Sequence, residues 1–123
     1  MTIWRKLLGD QGEQMAEAYL KKNGYRIIER NIRSRFGEMD LIAMEGNTLV
    51  FCEVRSRGGH SLDQAAESIG DGKQQRLIRL AEAYLQKHPE LSDHACRFDV
   101  VLLQKVEDLW TIDLIPDAFR PGW

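Results

Sequence analysis

The stretch Phe36-Gly37-Glu38-Met39-Asp40-Leu41-Ile42-Ala43-Met44-Glu45-Gly46-Asn47-Thr48-Leu49-Val50-Phe51-Cys52-Glu53-Val54-Arg55-Ser56-Arg57 sets two apolar runs on either side of Gly46-Asn47. A glycine-first pair between such runs suits a two-residue hairpin loop, because glycine takes the positive φ that the turn needs at its first position. With that loop Glu45 faces Thr48, and stepping outward sets Asp40 opposite Glu53 and Glu38 opposite Arg55. Directly opposed residues share a face of the sheet, with Cβ atoms roughly 4.5–5.5 Å apart. Two carboxylates therefore stand side by side on one face of a mostly apolar hairpin.

Like charges directly opposed destabilise a sheet. A shared proton, a bridging arginine or a divalent cation would each reconcile the pair. A hard cation such as Mg²⁺ takes oxygen ligands, typically one or two carboxylates with substrate phosphates and water. Arg55 and Arg57 follow Glu53 at a period of two and so share its face. Carboxylates for a metal, with guanidinium groups beside them, suit a phosphodiester. The other reading is two solvated charges on the open face of an edge hairpin, and the spacing alone leaves both open. The register matters here, since a slip of one residue moves a side chain to the other face.

The 123 residues fit one domain with a real core. Hydrophobic residues make up 43% and charged residues 29% of the chain, an ordinary globular balance. A formal net charge of -2 leaves no global positive field to drive avid nonspecific binding of nucleic acid. It leaves room for a local basic patch around an acidic pocket. The two cysteines, Cys52 and Cys96, are far apart and lack metal-ligand spacing, and Cys52 inside an apolar run reads as a small core residue. No apolar run is long enough to span a bilayer, and the first residues lack the pattern of a signal peptide. These features point to a cytoplasmic protein with reduced thiols and no membrane partner.

Residues 1–8 read as an N-terminal arm. Asp10 is a good N-cap, and Glu13 three residues on completes a pair like a capping box. The helix that follows has its apolar face at Ala16, Tyr19 and Leu20, and Gly24 suits the left-handed cap beyond it. Residues 25–32 read as a first strand, with Arg26, Arg30, Arg33 and Arg35 making it basic. Those arginines are either solvated charges or the approach for an anionic backbone. The hairpin strands run near 38–44 and 48–55. Gly58-Gly59 breaks the pattern, His60 is a candidate base or phosphate contact as well as plain polar surface, and Asp63 to Ser68 suggest a short helical turn.

A longer helix spans about 71–87, with Asp71 and Gln74 as a second capping pair and Pro89 as its stop. Leu77, Leu80, Ala81, Tyr84 and Leu85 form its core stripe. Lys73 and Arg76 share a face near its start, where they are solvated or clamp a phosphate. Residues 97–103 read as a central strand, Glu107-Asp108 as a turn, 109–115 as a half-buried strand and 116–123 as a tail. Helix, three strands, helix and two strands give one α/β domain with a mixed sheet and a helical crossover. Which face the first helix covers is left open.

Four blocks together are specific: Gly37-Glu38-x-Asp40-Leu41-Ile42-Ala43, Leu49-Val50-Phe51-x-Glu53-Val54-Arg55-x-Arg57, Lys73-x-x-Arg76 and Arg97-Phe98-Asp99-Val100-Val101. Over roughly residues 9 to 115 the chain resembles the YraN-like family of bacterial proteins, which is similar to the PD-(D/E)xK nuclease superfamily and to archaeal Holliday-junction resolvases. The resemblance implies a restriction-endonuclease-like fold, a central mixed β-sheet flanked by helices. It implies that Asp40 is the metal-binding Asp, Glu53 the second carboxylate, and Glu13 an acidic residue that completes the site. Arg55 stands where the superfamily has a lysine.

An arginine stays protonated and cannot act as a base. Arg55 would then stabilise transition-state charge and leave activation of the water to the metal. Glu38 would pair with Arg55 across the hairpin and fix it.

The function so implied is a metal-dependent endonuclease of DNA, branched or single-stranded forms included. Asp40, Glu53 and Glu13 would hold Mg²⁺ or Mn²⁺. Arg35, Arg57, Lys73 and Arg76 would position the phosphate backbone. A homodimer is implied by analogy with the resolvases. The competing reading is a non-catalytic nucleic-acid-binding or scaffold protein on a nuclease fold, which the arginine at position 55 favours.

Overall fold

The hairpin adopts the register its loop predicts. In a computed structural model, which describes residues 3–57 and 70–120, Gly46 takes a φ of 59°. The strand pairs then run from Glu45 with Thr48 through Met44 with Leu49 to Leu41 with Cys52. The ladder ends there, just short of Asp40 and Glu53.

The elements in order are α1 (Ile3–Lys22), β1 (Tyr25–Ser34), β2 (Gly37–Glu45), β3 (Thr48–Arg57), α2 (Asp71–Lys87), a 3-10 turn (Pro89–Leu91), β4 (Ala95–Val106) and β5 (Leu109–Phe119). The five strands form one sheet in sequence order. Strands β3 and β4 pair in parallel, and every other neighbouring pair is antiparallel. A parallel pair needs a crossover, and α2 lies within it. Glu107 and Asp108, with φ of 50° and 65°, turn β4 into β5.

Helices α1 and α2 cover opposite faces. On one face Leu77, Leu80, Ala81 and Tyr84 of α2 pack on Ile42, Met44, Leu49, Phe51 and Phe98. There the Phe51 and Phe98 rings stack at 5.3 Å and Tyr84 meets Phe51 edge-on at 6.2 Å. On the other face Ala16 and Leu20 of α1 pack on Leu41, Ala43, Val50, Cys52 and Val101. The result is a helix–sheet–helix sandwich. Gly12 lets α1 lie close to β4, since a Cβ at that position would stand 2.9 Å from the Leu103 side chain.

Away from the hairpin's open end, a buried polar cluster pins β1, β4 and β5 together. The Asp99 side chain is fully buried and accepts from Arg97 Nε at 2.8 Å, Tyr25 Oη at 3.1 Å and the Asp117 backbone N–H at 2.9 Å. Arg97 also donates to Glu45 at 3.2 Å and to Tyr25 Oη at 2.8 Å. Each member is satisfied, which is the condition for a buried charge to be tolerated.

The expected start of α1 and end of β5 move, and so does the cap of α2, whose span stays at 71–87. Helix α1 starts at Ile3, upstream of Asp10, so residues 3–8 are helical backbone rather than an arm and Asp10 lies inside the helix instead of at its start. The residue capping α2 is Gly70, whose carbonyl accepts the Gln74 N–H at 3.0 Å, so Asp71 is a first-turn acid favoured by the helix dipole. Strand β5 runs through Pro116 to Phe119, because the Phe119 ring stacks on Phe98 at 4.7 Å. Only residues 121–123 of the expected tail lie outside the described residues, as do Gly58, Gly59, His60 and the turn expected at 63–68.

Candidate active site at the open end of the hairpin

A crossover helix begins at the carboxyl end of the strand it leaves, so the first turn of α2 stands over the end of β3 that carries Glu53 and Arg55. A cavity of about 310 Å³ opens there, lined by Phe36, Gly37, Glu38, Asp40, Glu53, Lys73, Arg76 and Leu77. The carboxylates are recessed: the Glu53 side chain is 10% exposed. Lys73 Nζ bonds Glu53 Oε1 at 2.7 Å. Asp40 Oδ2 accepts the Val54 backbone N–H at 2.7 Å, which fixes the carboxyl beyond the last ladder pair.

Burial pushes the Asp40 carboxyl up to about 7, and the neighbouring charge of Glu53 pushes the same way. The Val54 N–H opposes that rise, the charge of Glu13 adds to it, and Lys73 opposes it. Glu13 lies on α1 and Lys73 on α2, on opposite faces of the sheet. Asp40 is therefore sensed from both faces, as befits a side chain at the opening between two diverging strands.

The sequence-predicted residues separate as follows. Asp40, Glu53, Lys73 and Arg76 come together around one cavity. Glu13 acts on Asp40 through its charge but lines a separate cavity with Gln14, Glu17, Arg30, Asn31 and Leu41. Its expected role in a capping box falls away, because Asp10 lies inside α1. Arg35 is outside the lining of the Asp40–Glu53 cavity, its guanidinium carbon 4.9 Å from the centre of the Phe36 ring, which does line that cavity. Arg55 follows Glu53 on β3, and its Nε is buried with no hydrogen-bond partner among the described residues. The Arg57 side chain lies outside the described residues.

The Glu38–Arg55 pairing is corrected. Glu38 sits opposite Arg33 on β1 and bonds its Nε at 3.2 Å, because β2 stays paired with β1 where it parts from β3. Arg30 is likewise held by Glu17 of α1, so the basic strand β1 keeps only part of its charge for a ligand.

The bond of Lys73 to Glu53 and the apolar wall escaped the sequence reading, although Lys73 itself was expected at the site as a phosphate contact. Lys73 supplies the ammonium group beside the second carboxylate, and Phe36 with Leu77 supplies apolar wall. Topology was the available signal for Lys73, since a lysine in the first turn of a crossover helix must lie near the strand end before it.

Two carboxylates in one recess suit an ion that keeps several waters and shares a phosphate, as Mg²⁺ does. They do not make an all-protein cage: among the described residues no group of three His, Cys, Asp or Glu side chains could hold a metal. The donor set thus fits Mg²⁺ or Mn²⁺ bound together with a substrate. Among the described residues no helix is long and apolar enough to cross a membrane.

The family model described as "Uncharacterised protein family UPF0102" matches residues 12–103. A UPF0102 protein of Magnetococcus marinus is 44% identical over 118 residues, covering 96% of this chain and 95% of that protein. One of Methylobacillus flagellatus is 48% identical over 114 residues, 93% and 97% of the two chains. One of Moorella thermoacetica is 41% identical over 121 residues, 97% and 100% of the two chains.

Proposed function

The chain belongs to UPF0102, a family described as uncharacterised, and within it we propose a metal-dependent endonuclease that hydrolyses DNA phosphodiester bonds. We assign it to the PD-(D/E)xK kind, on a restriction-endonuclease-like fold. The observation that carries the proposal is the recess in which Asp40, pushed up to about 7, stands beside Glu53 with Lys73 bonded to the latter at 2.7 Å. A structural sequence has no reason to bury two carboxylates together. A site that must bind a cation and an anion does.

Asp40 and Glu53 would hold Mg²⁺ or Mn²⁺, which supplies Lewis acidity toward a phosphate oxygen and its water. Lys73 reaches the carboxylates from α2 and holds a compact charge with three donors where a phosphate would lie. Arg55 brings a permanent charge to the same strand end, with its buried Nε unpartnered among the described residues. Arg76 in the lining and Arg35 over the Phe36 ring would hold the backbone. Glu13 adds negative potential from the other face, which favours a cation at Asp40.

Asp40→Ala and Glu53→Ala should each abolish Mn²⁺-dependent cleavage of labelled DNA while keeping the wild-type circular dichroism spectrum. Full cleavage by both variants refutes the proposal. The lack of a third metal-ligating side chain among the described residues favours a second reading, a nucleic-acid-binding protein that does not cut. On that reading Lys73→Ala and Arg76→Ala weaken DNA binding and flatten its salt dependence, and no metal supports cleavage.

A further inference from the structure

Phe36 stands in the turn between β1 and β2, its backbone N–H bonded to Ser34 Oγ at 3.0 Å. The turn closes at Gly37, which holds a φ of 128°. The ring is half-buried, packed on the core of the α2 face, and also lines the carboxylate recess. The Arg35 guanidinium lies 4.9 Å from its centre. A guanidinium plane laid over an aromatic ring, beside the recess lined by Asp40, Glu53 and Lys73, is a surface on which a nucleobase can stack.

The depth of the recess adds an independent constraint. The carboxylates line a cavity of about 310 Å³, Asp40 half-buried and the Glu53 side chain 10% exposed. In a continuous duplex the phosphates run along a convex surface and the bases are held in the stack. Bringing one phosphate into that cavity against the recessed Glu53 requires the local backbone to bend inward and the adjacent base to leave its neighbours, at a cost of a few kcal/mol. A single strand or a frayed end carries no such cost, and its freed base finds the Arg35–Phe36 stack.

We infer that Phe36, with Arg35 over it, is a stacking platform for an unpaired base, so that the recess takes single-stranded or frayed nucleic acid in preference to continuous duplex. The inference rests on the proposed placement of a nucleic-acid backbone at Asp40 and Glu53. Phe36 thereby becomes a specificity-determining residue, and the preference is separable from the chemistry.

The test is fluorescence anisotropy of the full chain in EDTA, with one labelled oligonucleotide offered single-stranded, as a blunt duplex, and single-stranded with scattered abasic positions. The wild type should bind the single strand more tightly than the duplex and lose affinity for the abasic strand. Phe36→Leu should weaken single-strand binding roughly tenfold, the scale of one lost base–aromatic stack, with duplex binding unchanged. Phe36→Trp should keep the single-strand affinity. Equal or tighter duplex binding by the wild type overturns the inference, and so does an unchanged affinity for the abasic strand. If Phe36→Leu does not fold, as its melting curve would show, the wild-type and abasic arms decide alone. The same substrates are then offered with Mn²⁺. Cleavage without strand preference overturns this inference and leaves the nuclease standing, whereas strand preference without cleavage supports it and removes the nuclease.

Discussion

Replacing Asp40 by asparagine should stabilise the metal-free protein while destroying its site. Burial and the charge of Glu53 push Asp40 from its ordinary 3.8 up to about 7. A carboxyl raised on folding contributes stability that is full below about pH 4 and is lost as pH rises through about 7. At pH 8 the ionised group therefore opposes folding. About three pH units at about 1.36 kcal/mol each set the penalty near 4 kcal/mol. Asparagine keeps an oxygen to accept the Val54 N–H but adds amide hydrogens that need partners, at a cost of about 1–3 kcal/mol.

The net gain of Asp40→Asn is then about 2 kcal/mol at pH 8, or a melting temperature raised by roughly 6–10 °C for a domain of this size. Thermal unfolding followed by circular dichroism in EDTA at pH 8 and again at pH 4.5 measures it. The margin should shrink toward zero or reverse at pH 4.5, where the wild-type carboxyl is neutral. Added Mn²⁺ should raise the melting point of the wild type alone. A variant that melts at or below the wild type at pH 8, or a margin equal at both pH values, refutes the reasoning.

Lys73→Met should lower Mn²⁺-dependent cleavage at least a hundredfold, the scale of one lost electrostatic donor, read as initial rates. Its stability cost should stay at about 1 kcal/mol or less, because Lys73 is 35% exposed and water screens the pair with Glu53. Asp99→Ala should cost about 3–5 kcal/mol in urea unfolding, because it leaves Arg97 without its buried partner. Asp99→Ala should also leave Mn²⁺ affinity, measured by calorimetry on the folded protein, within about twofold of wild type, since Asp99 stands outside the recess. Gly46→Val should cost about 1–2 kcal/mol, because a β-branched residue is strained at a φ of 59°, and its urea midpoint should fall accordingly.

The hairpin was legible because its loop residues and its apolar runs agree: glycine at the first loop position fixes a register that the buried pairs Ile42–Phe51 and Ala43–Val50 then enforce. The helix α2 was legible from its stripe and from Pro89. The start of α1 was not, because Asp10 and Glu13 have the form of a cap yet the backbone continues helical from Ile3 through Gly9. Local capping signals state a preference, and the rest of the chain can override it. The Lys73–Glu53 contact joins positions 20 apart in the chain, and only the crossover brings them together. The partner of Glu38 was misread because pairing was extended past Leu41 and Cys52, where the strands part. That parting makes room for Asp40 between the helices, so the failed stretch of ladder and the candidate site have one cause.

The central claim is tested most directly by incubating labelled linear, single-stranded and four-way-junction DNA with Mn²⁺ and either the wild type or Asp40→Asn, purified identically. Cleavage by the wild type and none by the variant is the predicted result. No cleavage of any substrate by the folded wild type, or equal cleavage by both proteins, would contradict it.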